Sequence, residues 1–208
     1  MNSYETYSLI IQLLIALGTI AVAILAIWGG WVKMKVASPR LRIEPHNFKG
    51  TLTRFTGGPR VIYYHLKVTN ARHWVIPRNC RVILRSVLRR MPNNEFESVP
   101  VHVPPQFVWA PAELTPPVIE LSTQQVFDFG RVVENVGRFE PVLYSYPNDF
   151  NGFVQANEAV RYAIEIRADG FSARQLQVFE VAWNGKWTDN LDTMTHNLTI
   201  REVDSLSI

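Results

Sequence analysis

The sequence predicts an all-β fold, in which one antiparallel β-sandwich follows a single N-terminal membrane-spanning helix. Three observations predict it. Residues 9–32 form a run of 24 residues without a charged side chain. From residue 41 onward, apolar side chains recur at every second position, which is the period of a half-buried strand. Twelve of the 13 prolines fall between residues 45 and 147, where they separate short strands.

The apolar run is long enough to cross a bilayer, which takes about 20 residues at ~1.5 Å rise per residue. Its Leu, Ile and Val residues contribute roughly 4–7 kcal/mol to insertion, which outweighs the cost of Gln12. The alternative is a buried helix of a soluble protein, although such helices rarely run this long without a charge. Residues 1–8 lack the basic start of a signal peptide, so we expect an uncleaved anchor.

The orientation follows from the flanking charges. Lys33, Lys35, Arg40 and Arg42 follow the run, and no Lys or Arg precedes it. Because positive flanks stay in the cytoplasm, we expect the N-terminus outside the inner (plasma) membrane and the β domain in the cytoplasm. The lipid bilayer is thus the first expected partner.

Small and polar residues recur along the run at spacings of 4, 3, 4, 3 and 4. They are Gln12, Ala16, Thr19, Ala23, Ala26 and Gly30. This period places them on one side of a helix, here called the anchor seam, opposite bulky Leu and Ile side chains. Small residues let helices approach closely in lipid, so the seam predicts a homo-oligomer, although chance recurrence is the alternative.

The remaining chain divides into a basic juxtamembrane linker, residues 33–42, and one β domain, residues 43–208. Alternation is clearest in residues 61–70, 80–90 and 159–168. In the second of these segments it places Cys80, Val82, Leu84 and Leu88 on the core face. Short strands of this kind fit either a sandwich or a barrel.

One pair of segments resembles a known family. Leu66–Asn70 is an apolar alternating segment that ends in Asn, and a turn and a second alternating segment, Asn79–Leu84, follow it. This pattern resembles the B–C hairpin of bacterial immunoglobulin-like domains, although Arg72 stands where that family usually has Gly. The resemblance implies an immunoglobulin-like sandwich and no particular activity.

The charges separate along the chain. Residues 40–110 carry twelve Lys or Arg against three acids, and residues 111–208 carry seven against fourteen. Alternation groups Arg81, Arg85 and Arg89 on the face opposite Leu84. These arginines form either an exposed face that pairs with the acidic half or a candidate site for phosphate, on a nucleotide or on lipid headgroups.

The sequence contains few features that are typical of an enzyme. It contains no Gly-rich phosphate loop, no G-x-S-x-G and no H-E-x-x-H, and its five histidines are scattered. We therefore expect no catalytic residues, no metal and no cofactor. The lone Cys80 is expected to be buried, and the mild net charge argues against nucleic acid as a partner.

Together these observations predict a non-enzymatic membrane-anchored interaction or sensing module that self-associates and has a possible protein partner. The alternative is a membrane effector whose β domain binds a nucleotide or another anion and thereby clusters the anchors. A membrane-tethered hydrolase is the third possibility.

Overall fold

A computed structural model of the chain describes residues 3–173 and 176–203. The chain divides into two compact units, Met1–Ser38 and Pro39–Ile208. The first unit is one helix, α1 (Ser3–Ala37). The described part of the second unit is mostly β, with one short helix, α2 (Leu191–Asn197).

The strands of the second unit are, in chain order, β1 (Leu41–Arg54), β2 (Arg60–Asn70), β3 (Arg81–Arg90), β4 (Phe96–Val99), β5 (Val108–Trp109), β6 (Gln124–Val133), β7 (Arg138–Pro141), β8 (Val154–Gln155), β9 (Glu158–Ala168), β10 (Phe171–Ser172), β11 (Gln177–Trp183) and β12 (Leu198–Val203). They form two sheets. The first has the order β1-β2-β6-β7-β8 with β5 beside β6, and the second has the order β12-β11-β9-β3-β4 with β10 beside β9. Every pairing between these strands is antiparallel, so the prediction of an antiparallel β protein is confirmed.

Helix α1 is long, apolar and exposed. By length and composition its segment Thr6–Gly29, which contains an 18-residue stretch with a mean hydropathy of 2.7, can cross a membrane, and none of that stretch is buried. Leu13 and Ile15, for example, are 61% and 64% exposed. The helix forms because the segment is rich in Leu, Ile and Ala and contains no Pro. It also extends beyond residues 9–32 into the first part of the predicted linker.

The two sheets share one core. Phe129 of β6 packs edge-on against Tyr162 of β9, with ring centroids 5.6 Å apart, and its ring lies 5.9 Å from that of Phe179 of β11. All three side chains are fully buried. Burial of each such side chain contributes about 1.5–3 kcal/mol. This aromatic cluster therefore joins the two sheets.

The predicted alternation is confirmed in β2, where Ile62, Tyr64, Leu66 and Val68 are all buried. The turn that follows β2 differs from the prediction, because β2 and β3 belong to different sheets and do not form a hairpin. Both strands reach the shared core from opposite sides.

In β3 the predicted alternation is wrong beyond Leu84. The register of β3 against β9 shifts between Leu84 and Ser86, which leaves Arg85 as the extra residue of a β-bulge. A bulge exchanges the two faces of a strand for all residues that follow it. As a result Val87 joins Val82 and Leu84 in the core, whereas Leu88, although buried as well, lies on the opposite face beside Arg161.

Candidate functional site

The face of the second sheet opposite the core carries five arginines around two glutamates, and we call it the arginine face. Its members are Arg81, Arg85, Arg161, Arg167, Arg201, Glu165 and Glu180. On β9, Arg161 and Glu165 alternate with the core residues Tyr162 and Ile164, which explains why they point away from the core.

Glu180 lies at the centre of a charged row that crosses three strands. In register it faces Arg201 of β12 on one side and Arg161 of β9 on the other. Its carboxylate accepts hydrogen bonds from Arg161 Nε at 3.0 Å and Arg201 Nη2 at 2.5 Å, and its side chain is only 5% exposed. Burial acts to raise the pKa of Glu180, but the two arginines outweigh it and hold the pKa below its usual value.

Glu165 forms a second cluster on the same face. Arg85 Nε lies 2.6 Å from one carboxylate oxygen, and the other oxygen accepts hydrogen bonds from Arg167 Nε at 3.0 Å and Ser172 Oγ at 2.6 Å. Burial again acts to raise the pKa of Glu165, and these three partners together hold it below its usual value. The bulge at Arg85 thus brings its guanidinium to a buried carboxylate.

The structure separates the three arginines that the sequence groups together. Arg81 and Arg85 lie on the arginine face, whereas Arg89 follows the bulge and shares the face of the core residue Val87. Arg89 is paired with Glu158 and donates to the backbone oxygens of Asn151 at 2.9 Å and Phe153 at 3.2 Å. Arg89 therefore holds the loop that contains Asn151 and Phe153 against the end of β3.

An open cleft of about 740 Å³ lies on the outer face of the first sheet. Its walls are the irregular part of β1, where the register against β2 shifts twice, and a loop that follows β5. The residues that line it are His46, Asn47, Thr51, Thr53, Arg54, Phe55, Thr56, Tyr63, His65, Ala110, Pro111, Ala112, Glu113, Val126 and Asp128. Hydroxyl, amide, imidazole, carboxyl and aromatic groups thus face one space.

The innermost polar pair of the cleft is His65 and Asp128. The two residues are opposite each other on β2 and β6, and His65 Nδ1 lies 2.9 Å from Asp128 Oδ1. Their side chains are 18% and 11% exposed. The ring of Tyr63 stands parallel to that of His65, with centroids 6.3 Å apart and an interplanar angle of 8°.

One wall of the cleft continues into a charged cluster. Arg131 lies over the ring of Phe55 at 5.6 Å and reaches the hydroxyl of Tyr63 at 3.5 Å. Glu140 accepts from Arg131 at 3.2 Å and from Arg138 at 2.8 Å, so the arginine beside the tyrosine is held in place. This arrangement places a fixed guanidinium group beside Phe55 and Tyr63, two aromatic side chains of the cleft.

The alternation in residues 61–70 predicts that His65 lies on the outer face of its strand, but no pattern in the sequence indicates this cleft. The partner carboxylate is 63 positions further along the chain, and the pairing of β2 with β6 is what brings the two together. The only local signal was that Asp128 lies between Phe127 and Phe129, so alternation places it on the face opposite the two phenylalanines.

The anchor seam lies along α1. The side chains of Gln12, Ala16, Thr19, Ala23 and Ala26 are exposed, and Thr19 Oγ1 donates to the backbone oxygen of Ile15 at 2.9 Å. Gly30 lies in the helix, beyond the part of α1 whose side chains the structure describes.

Cys80 is fully buried and its Sγ lies 3.5 Å from the backbone oxygen of Pro77. Burial raises the pKa of this thiol to about 11, so it stays protonated at neutral pH. Within residues 3–173 and 176–203, no three His, Cys, Asp or Glu side chains are grouped to hold a metal ion.

Comparison of the chain with protein-family models and with curated proteins finds no match to either.

Proposed function

We propose that the chain is a single-pass membrane protein that presents an immunoglobulin-like β-sandwich as a non-enzymatic interaction or sensing module. The observation that carries this proposal is the exposed segment Thr6–Gly29 of α1. Monomeric soluble proteins rarely expose apolar patches larger than a few hundred square ångströms, and this segment is apolar all round. A bilayer covers such a surface.

The sandwich assignment is supported by two antiparallel sheets that share one core. The immunoglobulin-like assignment is supported by β2 and β3, because strands B and C of that fold also lie in different sheets. The strand beside β2 departs from that order: β6 precedes its outer neighbour β7, whereas strand E follows strand D. We therefore propose an architecture related to the immunoglobulin fold rather than the exact topology of that fold.

The proposed topology places the N-terminus outside the inner membrane and the β unit in the cytoplasm. A reporter that works only in the cytoplasm, fused after Ile208, is expected to be active, and the chain is expected to resist extraction from membranes by alkaline carbonate. Activity of a periplasmic reporter at the same position would contradict the orientation. Release of the chain by carbonate would contradict the anchor itself.

The anchor seam supports self-association of the protein in the membrane. We expect Ala23→Leu or Gly30→Leu to weaken association in a membrane two-hybrid assay, because a larger side chain keeps two helices apart. Ile24→Leu, a volume-conserving change on the other side of the helix, is the matched control and should have little effect. Equal effects at positions 23, 24 and 30 would contradict the seam.

The cleft around His65 and Asp128 supports a binding role for the β unit. Its size lies within the usual range for small-molecule sites, about 300–1,000 Å³, and its polar groups are positioned by paired strands. The lining offers hydrogen bonds and ring faces, which are groups for recognition. A small polar metabolite or an exposed segment of a protein partner would fill it.

A second candidate function is a membrane effector that responds to an anionic ligand. The arginine face favours it, because four of its guanidinium groups pair with only two carboxylates and a fifth, that of Arg81, lies on the same face. Among the described residues, none forms an ion pair with Arg81, and its side chain is exposed. Phosphate oxygens accept bidentate hydrogen bonds from such a group.

This second function is tested by ligand-induced stabilisation of the purified full-length chain. A nucleotide that binds should raise the melting temperature by mass action and should do so less in Arg81→Gln. The variant alone should melt like the wild type. A wild-type protein that is indifferent to every nucleotide and anionic lipid would leave the interaction module as the function.

A further inference from the structure

We infer that the loop between β2 and β3, residues 71–79, docks on the headgroup layer of the membrane that anchors the chain. We call it the docking loop. The inference rests on the proposed anchor. The contact surface of the docking loop consists of Trp74 and Ile76. The partner is an anionic lipid surface.

Hydrogen bonds hold the docking loop in a defined conformation. Asn70, which is 1% exposed, donates from Nδ2 to the backbone oxygen of Val75 at 2.7 Å. Its Oδ1 accepts from the backbone nitrogen of Arg72 at 3.0 Å, and Val75 N donates to the oxygen of Arg72 at 3.0 Å. One buried amide therefore fixes the turn that carries Trp74.

This ordered loop exposes two large apolar side chains to its surroundings. Trp74 is 73% exposed and Ile76 is 52% exposed. A single exposed apolar residue is ordinary on a protein surface, but here two large ones belong to one fixed turn. Tryptophan favours the headgroup level of a membrane, where its ring is apolar and its N–H remains hydrated.

The docking loop begins where the chain enters the β unit. Leu41 pairs with Asn70, and the backbone nitrogen of Ala71 donates to the oxygen of Arg40 at 2.9 Å. The chain from Gly29 to Arg40 is helical as far as Ala37 and continues for three more residues. This connection can therefore span at most about 22 Å. Once the apolar segment lies in the bilayer, this length keeps the loop's end of the β unit within reach of the headgroups.

The charge around the docking loop fits anionic lipid. Arg40, Arg42, Arg72 and Arg78 lie in the loop or on the adjacent start of β1. Arg78 pairs with Glu120 at 3.2 Å and Arg42 pairs with Glu202 at 3.6 Å, but both arginines are more than 60% exposed. Exposed pairs of this kind are weak, so their guanidinium groups can exchange a carboxylate for a lipid phosphate.

A dye placed at the loop tests the inference in the full-length protein. Ile76→Cys is labelled with an environment-sensitive fluorophore and reconstituted in nanodiscs, either of phosphatidylcholine or of an equimolar mixture with phosphatidylglycerol. Val136→Cys is the matched control, because Val136 is 45% exposed in the turn between β6 and β7, at the opposite end of β2. The native Cys80 is fully buried and does not compete for label.

We expect the dye at position 76 to emit at shorter wavelength and to be quenched by brominated lipid, more strongly with phosphatidylglycerol, while the dye at position 136 does neither. Trp74→Ser should reduce the quenching at position 76. Equal emission at both positions, in a chain that resists carbonate extraction, would overturn the docking loop but not the anchor. Emission at shorter wavelength without lipid quenching would indicate a protein contact, such as a second copy, and would also overturn it. Release of the chain by carbonate would contradict the proposed membrane anchor, on which the docking loop depends.

Discussion

The two outer faces of the β unit have similar alternating sequences but different surfaces. On the arginine face, Glu165 and Glu180 are each only 5% exposed and each lies between two arginines. On the first sheet, the His65–Asp128 pair stands in a cleft of about 740 Å³. One face is closed by its own side chains and the other is open to a ligand.

The difference comes from what lies across each face. On the second sheet, Arg201, Glu180 and Arg161 are in register, so long side chains of opposite charge lie over the sheet and cover it. On the first sheet, the bulged part of β1 and the loop after β5 stand at the sides of the face, and the charged cluster of Arg131, Arg138 and Glu140 lies beside the cleft rather than over it. Cross-strand neighbours therefore decide whether a polar face stabilises the fold or is available for binding.

The largest effect is expected from Glu180→Gln. The change removes the negative charge beside Arg161, whose side chain is 13% exposed, and breaking a buried pair costs about 3 kcal/mol of unfolding free energy. Near-UV circular dichroism of the full-length protein in detergent measures the loss. The control is Glu202→Gln on the same sheet, where an exposed pair at 3.6 Å should contribute less than about 1 kcal/mol. Equal losses would show that the arginine face does not act as a closed structural surface.

A second effect is a loss of stability in acid. The pKa values of Glu165 and Glu180 are lower in the folded protein than their ordinary value of 4.5, so the folded state holds fewer protons. Their contribution is complete above pH 4.5 and declines as the pH falls through the lower folded pKa values. When melting temperatures are measured from neutral pH downward, they should decrease once the pH is below 4.5. Glu180→Gln should lose less on acidification than the wild type, and an equal loss would place the acid-sensitive groups elsewhere.

The smallest effect is expected from Asp128→Asn in the cleft. The amide oxygen of the Asn side chain can take the place of Asp128 Oδ1, 2.9 Å from His65 Nδ1, so stability should change by less than about 1 kcal/mol. Thermal unfolding measures the change, with Glu180→Gln as the reference. If the two variants were equally destabilised, the His65–Asp128 pair would be a structural element like the arginine face rather than a wall of a binding site.

Much of the architecture follows from local patterns. Ile62 and Leu66 alternate with polar residues on β2, and a period of two is a property of a single strand that no partner is needed to define. The uncharged run in α1 likewise specifies an apolar helix, because backbone hydrogen bonds within a helix involve only nearby residues. Asn70, singled out in sequence as the end of an alternating segment, is the residue that organises the following turn.

By itself, then, the sequence determined an apolar helix followed by short antiparallel strands, because hydrophobic periodicity is local. Only the tertiary structure decided which polar groups meet. The bulge at Arg85 arises from pairing with β9 and moved Arg89 to the core side of its strand. The cleft depends on β2 pairing with β6, which brings His65 within 2.9 Å of Asp128. Such contacts join residues far apart in the chain, and the choice of strand neighbours reflects the packing of the whole core rather than any one segment.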